Sequence, residues 1–159
     1  MTLLTISGIL QRKLCCYGVN GNALQLFKSY LTDRTQRCYV NGVSSTEQDL
    51  SRGIPQGFIL GSLLFIIYIN DFPTCVQHTT PGMFADDTYI ATAHEDISTI
   101  ECSLNSDLTE VHNWLKINKL SFNTSKTSYI TIASRQNLKV AKAKFMNLKM
   151  DDRPIEYKL

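Results

Sequence analysis

Met83-Phe84-Ala85-Asp86-Asp87-Thr88-Tyr89-Ile90-Ala91-Thr92-Ala93 sets two adjacent carboxylates between two runs rich in apolar and β-favouring residues. The pattern predicts a β-hairpin with acid at its tip. Successive side chains on a strand point to opposite faces, so neighbouring aspartates reach a common cation only where the chain turns sharply. Packed together they repel, and ionising both favours a bound cation. Oxygen ligands of this kind suit Mg²⁺ or Mn²⁺, which keep part of their water shell and take the remainder from substrate phosphates. Such a turn supplies half of a phosphoryl-transfer site. A bare Asp-Asp pair is also what an ordinary solvated turn contains, because turns favour Asp, so the flanking sequence has to decide.

Upstream of the hairpin, Arg52-Gly53-Ile54-Pro55-Gln56-Gly57 places two glycines and a proline in a short loop, where backbone can approach a ligand closely. The apolar run from Phe58 to Ile69 follows, with Ser62 as expected N-cap and Asp71-Phe72-Pro73 as its stop. Interrupted by Gly61 and Ser62, this run is too short to span a bilayer and reads as a buried helix. Before the loop, Arg37 to Val43 predicts a strand into an Asn41-Gly42 turn, with a second strand at about Thr46–Leu50. A weak helical pattern over about Leu3–Leu14 stops near Tyr17-Gly18. A clearer helix, capped by Asn22, carries Leu24, Phe27, Tyr30 and Leu31 on one face.

Downstream, Asp96 opens a helix in which Ile97, Ile100, Leu104, Leu108, Val111 and Leu115 recur at steps of three and four; Ser98 and Glu101 have capping-box spacing, and the end is expected near Asn118-Lys119. Thr127 to Ile132 alternates as a strand able to pair with the Asp-Asp hairpin. Weaker strand signals lie near Lys139–Phe145 and Ile155–Leu159. Strands and helices alternate without the spacing of a doubly wound sheet, so the expected fold is α+β, an antiparallel sheet packed on helices, in a single domain over residues 1–159.

The charges are unevenly placed. Residues 1–32 contain no Asp or Glu, whereas residues 111–150 contain eight Lys or Arg and no acid. A basic flank beside an acidic centre suits a polyanion backbone brought to a metal site, although a solvated basic face has the same composition. Cys15, Cys16, Cys38, Cys75 and Cys102 are odd in number and scattered, without a Cys-x-x-Cys pair, which favours a reducing compartment, no zinc site and no disulfide-linked partner. His78, His94 and His112 lack ligand spacing. Asn123-Thr124-Ser125 matches a glycosylation sequon, but nothing marks secretion and the match is read as chance. The expected location is intracellular, nucleus or cytoplasm, away from membranes.

Taken together these motifs resemble, over nearly the whole chain, the reverse transcriptase domain of non-LTR retrotransposons of the jockey or LINE type. Phe84-Ala85-Asp86-Asp87 is similar to the family's aromatic-x-Asp-Asp box. Gly53 to Gly57, continuing through Ile59-Leu60-Gly61 to Tyr68-Ile69-Asn70-Asp71, resembles the palm motif before it; Trp114, Asn118-Lys119-Leu120, Asn123 and Ser125-Lys126-Thr127 resemble the lysine-bearing motif after it. Tyr17-Gly18, Phe27 to Leu31 and Asp33-Arg34 resemble the family's linking helices.

The resemblance implies template-directed addition of deoxynucleoside triphosphates to a DNA primer on an RNA template, assisted by Mg²⁺ or Mn²⁺. Asp86 would be the principal metal ligand and Asp87 the second. Lys126 would face the leaving pyrophosphate as a proton donor or charge stabiliser. Pro55, Gln56, Gly57 and Phe84 would lie against template or nucleotide. The resemblance also implies absences: the fingers, the strand bearing the first catalytic aspartate and the thumb, leaving a partial palm that holds its metal weakly. Phe58 stands where the family usually has Ser, and Ser62 where it usually has Pro. The expected protein is a reverse transcriptase fragment inactive alone; a non-enzymatic nucleic-acid-binding remnant and a poorly folded remnant are the other readings.

Overall fold

Asp96 starts the longest helix, α4 (Ile97–Ile117), by accepting from both Thr99 N and Thr99 Oγ1 at 2.9 Å. Thr99 is thus the capping partner: Asp96 opens the helix as expected, and the cap lies two residues before the expected Ser98/Glu101 box. The helix ends in a left-handed residue, Lys119 (φ 57°), with Leu120 N on Leu115 O at 2.9 Å and Lys119 N on Lys116 O at 3.2 Å. That is a Schellman closure made without glycine. Leu108, Val111 and Trp114 are its buried apolar residues, and Asp107 and Asn118 are buried with them. The computed structural model to which this helix belongs describes residues 6–50, 59–84, 87–134 and 145–158.

The chain divides into two compact units, Met1–Asn70 and Asp71–Leu159. In the first, α1 (Ile6–Cys16) and α2 (Gly21–Leu31) are joined by a Schellman turn: Gly18 takes φ 82°, Gly18 N bonds Cys15 O at 2.9 Å, and Val19 N bonds Leu14 O at 3.0 Å. Asn20 holds the N-cap position of α2, two residues before the expected Asn22, but its side chain makes no capping bond and its amide donates back to Gly18 O. Leu24, Phe27, Tyr30 and Leu31 form its inner face, as the periodicity predicts. The third helix, α3 (Ile59–Ile69), begins before Ser62, which falls within the first turn instead of capping it. It buries Leu64 and Tyr68 with Leu10, Leu14 and Leu31, while Leu60, Leu63 and Ile66 remain exposed, so this run is a one-sided helix. Lys13 ties α1 to α3, donating to Tyr68 O at 2.5 Å and lying 4.8 Å from the Tyr68 ring centroid.

Between α2 and α3 runs a ribbon of β1 (Thr35–Gln36), β2 (Tyr39–Val40), β3 (Val43–Ser44) and β4 (Gln48–Asp49). Asn41 (φ 50°) and Gly42 (φ 82°) make its two-residue turn, with Val40 opposite Val43. The second strand therefore starts at Val43, ahead of the expected Thr46. The register slips between Tyr39↔Ser44 and Gln36↔Gln48, which places an extra residue, a bulge, around Thr46-Glu47 opposite Arg37. There Glu47 binds Arg37 Nη2 and Thr35 Oγ1, each at 2.5 Å, and both hold its carboxyl below the ordinary value.

The second unit packs a short 3₁₀ turn, η1 (Phe72–Cys75), on α4 through an edge-to-face contact of Phe72 with Trp114 at 5.4 Å. Leu148, Met150 and Ile155, around the hairpin β8 (Lys149–Met150) and β9 (Arg153–Pro154), complete its core. Strands β5 (Thr80–Phe84) and β6 (Asp87–Ala91) pair with each other. After a second 3₁₀ turn, η2 (Thr124–Lys126), β7 (Ser128–Tyr129) pairs in parallel with β10 (Glu156–Tyr157). The pairing with the Asp-Asp hairpin of which the sequence makes this strand capable is absent among the described residues; Tyr129 meets Tyr157 at 5.2 Å and donates its hydroxyl to Met146 O at 3.1 Å. The class is thus mixed α+β, and among the described residues the strands form four antiparallel ladders and one parallel one, each two-stranded. No helix among the described residues is long and apolar enough to cross a membrane. The signal at Lys139–Phe145 falls almost wholly outside them.

Candidate active site

Five cross-strand pairs build the hairpin, from Thr80↔Ala91 at its root to Phe84↔Asp87 at its tip. That last pair leaves Ala85-Asp86 as a two-residue connection, the shortest that antiparallel strands use. Alternation along the ladder puts Thr80, Gly82, Phe84, Asp87, Tyr89 and Ala91 on one face, and Pro81, Met83, Thr88 and Ile90 on the other. Pro81, Met83 and Ile90 are half-buried, whereas Phe84 is 83% exposed and Asp87 is also open to solvent. The structure therefore brings Phe84 and Asp87 together as a closing pair on the solvent face. Asp86, Pro55, Gln56 and Gly57 lie outside the described residues.

Lys126 is the last residue of η2 and is exposed. Asn123 fixes this turn, its Oδ1 accepting from Ser125 N at 3.2 Å and Ser125 Oγ at 2.7 Å, while Thr127 Oγ1 donates to Asn123 O at 3.0 Å. The sequon asparagine is thus the cap that sets the lysine. No ion pair joins Lys126 to Asp87 among the described residues, and none of their His, Cys, Asp and Glu side chains form a cluster of three able to hold a metal. A cleft of about 260 Å³ lined by His112, Lys116, Phe122, Asp151 and Arg153, among others, shares no residue with the hairpin.

Two polar side chains on α4 anchor the segments around this site. Asn105 bridges the edge of β8, accepting from Lys149 N and donating to Asn147 O, both at 3.0 Å, as a neighbouring strand would. Asp107, 1% exposed, holds the root of the hairpin: Oδ1 accepts from Gln77 N at 3.2 Å, and Oδ2 accepts from His78 N at 3.0 Å and Thr79 Oγ1 at 2.7 Å. Burial raises the pKa of this carboxyl, but the Thr79 hydroxyl and the amides of Gln77, His78 and Thr79 outweigh it and keep it below the ordinary value. Burial pushes the nearby Cys75 thiol up, and the charges of Asp107, Glu110 and Asp71 push it further. The sequence reading assigns no part to Asp107, although an acid one step from Leu108 on an apolar stripe is itself a signal, because such a group is buried only with partners.

Residues 9–157 match the family model described as Reverse transcriptase (RNA-dependent DNA polymerase). The chain is 29% identical over 115 residues to the RNA-directed DNA polymerase from mobile element jockey of Drosophila melanogaster, an alignment covering 68% of this chain and 13% of that protein. It is 27% identical over 119 residues to the jockey polymerase of Drosophila funebris, covering 69% and 13%. It is 35% identical over 69 residues to the probable RNA-directed DNA polymerase from transposon X-element of Drosophila melanogaster, covering 41% and 8%. The chain thus spans 13% or less of the length of these relatives. No solved structure matches it. With the family model covering all but the ends of a chain whose aromatic-x-Asp-Asp sequence closes a two-residue hairpin, this protein belongs to the reverse transcriptase family.

Proposed function

We propose that the chain is part of the palm of an RNA-directed DNA polymerase of a jockey-type non-LTR retrotransposon, with Asp86 and Asp87 as its metal-binding carboxylates. The observation that carries this reading is the Phe84↔Asp87 pair, which ends a five-pair hairpin on an exposed aromatic ring and an exposed acid in a chain of this family. Carboxylate oxygens at an open tip are the hard donors that Mg²⁺ or Mn²⁺ takes, with water and substrate phosphates completing the shell. When bound, the cation stabilises charge on the oxygens of the transferring phosphoryl group.

The remaining roles belong to the chain itself. Phe84 offers an aromatic face at the tip for primer or nucleotide. Pro55, Gln56 and Gly57 are assigned to template or incoming nucleotide by their match to the family's palm motif. Lys126, exposed and held by the Asn123 cap, supplies positive charge or a proton to the leaving pyrophosphate. RNA template, DNA primer and deoxynucleoside triphosphate are the partners. Asp86 and Asp87 by themselves suffice for one hydrated cation, so these 159 residues are expected to bind primer–template without extending it.

The test is primer extension on an RNA template with Mg²⁺, run beside primer–template binding across a salt series, for the wild-type chain and Asp86→Ala. Binding that weakens steeply with salt, with no extension by either protein, is expected. Extension lost in Asp86→Ala would overturn the incomplete-site part of the proposal. Absence of any salt-dependent binding would overturn the assignment to template and primer.

A further inference from the structure

The β5–β6 hairpin hydrogen-bonds to no other strand among the described residues, and only one of its faces is half-buried. An isolated two-stranded hairpin is marginal in water, so something outside its ladder must set its direction. The three residues that lead into Thr80 are held by a single side chain. Both Asp107 oxygens are used, one on Gln77 N and the other on His78 N and Thr79 Oγ1, and the helix that bears them is the most extensive element of its unit. Acceptance at both oxygens resists translation and rotation of the segment, and charge-assisted bonds are about twice as strong as neutral ones.

Resting on the reading of Asp87 as a metal ligand, we propose that Asp107 is a positioning residue for it: by clamping residues 77–79 to α4 it fixes the angle at which β5 leaves the core and so the place of the Phe84↔Asp87 end of the hairpin. The lever is long. At about 3.3 Å per residue the arm from Thr80 to the turn reaches about 15 Å, so a tilt of about 10° at the root moves the tip by about 2–3 Å. Functional groups tolerate displacements of about 0.5 Å. A group that never touches the cation thereby controls where its ligands stand, and a neutral amide at position 107, with one acceptor oxygen, cannot hold both sides of the segment.

Mn²⁺ is the probe, read in the 159-residue chain as paramagnetic broadening of the Thr88 and Tyr89 amide signals, with hydrogen exchange of residues 80–91 measured in parallel and Trp114 fluorescence reporting folding. Asp87→Asn should abolish the broadening, showing where the ion sits. Asp107→Asn should stay folded, weaken Mn²⁺ binding at least about fivefold, and speed exchange across β5 and β6 while the α4 amides stay protected. Thr79→Val, a milder change for use if Asp107→Asn does not fold, should shift both readouts in the same direction, and Thr79→Ser should restore them. Folded Asp107→Asn, or folded Thr79→Val in its place, with wild-type Mn²⁺ affinity and wild-type hairpin exchange would overturn the proposal. If the wild-type chain shows no Mn²⁺ at the tip, the metal-ligand reading fails; hairpin exchange then decides the clamp alone, unchanged rates overturning it and faster rates supporting it.

Discussion

Replacing Gly82 by Ala should change sign with the residue that faces it. Tyr89 lies opposite Gly82 in the β5–β6 ladder, and its ring covers the bare glycine: a Cβ built there would overlap Tyr89 Cζ and Oη and come within 2.5 Å of Cε1. Tyr89 is 63% exposed, so the ring is free to swing away. Roughly a third of a side chain that buries about 150–250 Å² is therefore covered, or about 50–90 Å². At about 25 cal/mol per Å² this seat is worth about 1–2 kcal/mol, an upper figure because unfolded chains bury some of the same surface. Against that loss stands the removal of a strand glycine, which costs roughly 0.5–1 kcal/mol relative to alanine. In the wild-type background Gly82→Ala should accordingly destabilise by about 0–1.5 kcal/mol. In a Tyr89→Ala background the new methyl meets open space, and the same change should stabilise by about 0.5–1 kcal/mol.

Equilibrium urea unfolding of the four proteins of this cycle, followed by the fluorescence of Trp114, measures the difference. Trp114 is the single tryptophan of the chain and is buried in the same unit as the hairpin. A coupling of about 1–2 kcal/mol between the two positions is expected. Equal effects of Gly82→Ala in both backgrounds, within about 0.3 kcal/mol, would refute the ring-on-glycine contact. A loss above about 3 kcal/mol in the wild-type background would refute the claim that the ring can move aside.

Asp96→Ala removes both bonds to Thr99 and should cost about 1 kcal/mol in the same urea assay, with Asp96→Ser recovering most of it. Lys119→Gly relieves a left-handed non-glycine residue at the end of α4 and should stabilise by about 0.5–1 kcal/mol, whereas Lys119→Ala should not. Asp107 gives the acid limb its sign. Its folded carboxyl sits below the ordinary value, so its contribution is complete above the unfolded pKa of about 3.9 and drains away as pH falls through the folded pKa. The stability gap between wild type and Asp107→Asn should therefore be full at neutral pH and narrow as pH falls below the unfolded pKa of about 3.9, while a constant gap would remove the charge from the account.

Local signals carried the hairpin, α4 and the chain reversal at Gly18, because each depends on residues close in sequence: β-favouring runs around Asp86-Asp87, an Asp cap on an apolar 3.6 period, and a glycine free to take positive φ. What escaped depends on partners distant in the chain. The pairing of β7 with β10 joins Ser128 to Glu156, and no pattern within residues 127–132 distinguishes that partner from the Asp-Asp hairpin. The exposed side of α3 escaped for the opposite reason, since Leu60, Leu63 and Ile66 look like core wherever they fall, and a uniformly apolar run has no period from which to choose a face. Of the candidate site, the hairpin that brings Phe84 beside Asp87 was legible in the residue pattern, whereas Lys126 entered only through the family resemblance. Asp107 could not be given its role, because the donors it holds are backbone amides that carry no mark in the sequence.

A second Asp-Asp pair shows why the flanks and register of the first matter more than the dipeptide. Asp151 and Asp152 also form the tip of a hairpin, but the closing pair there is Met150↔Arg153, so both acids lie in the turn, at φ 53° and 59°. Asp151 Oδ1 lies 3.4 Å from His112 Nε2 of α4, so one of these two carboxylates already has an imidazole beside it. At the first tip the closing pair is Phe84↔Asp87: one acid begins a strand, its neighbour in the ladder is an aromatic ring, and no ion pair reaches Asp87 among the described residues. A carboxylate with no partner charge has most to gain from a cation, whereas one that already faces an imidazole on a neighbouring helix has less. The distinction between two identical dipeptides thus comes from a register and a set of neighbours: Asp87 starts a strand opposite Phe84, whereas Asp151 lies in a turn with an imidazole beside it.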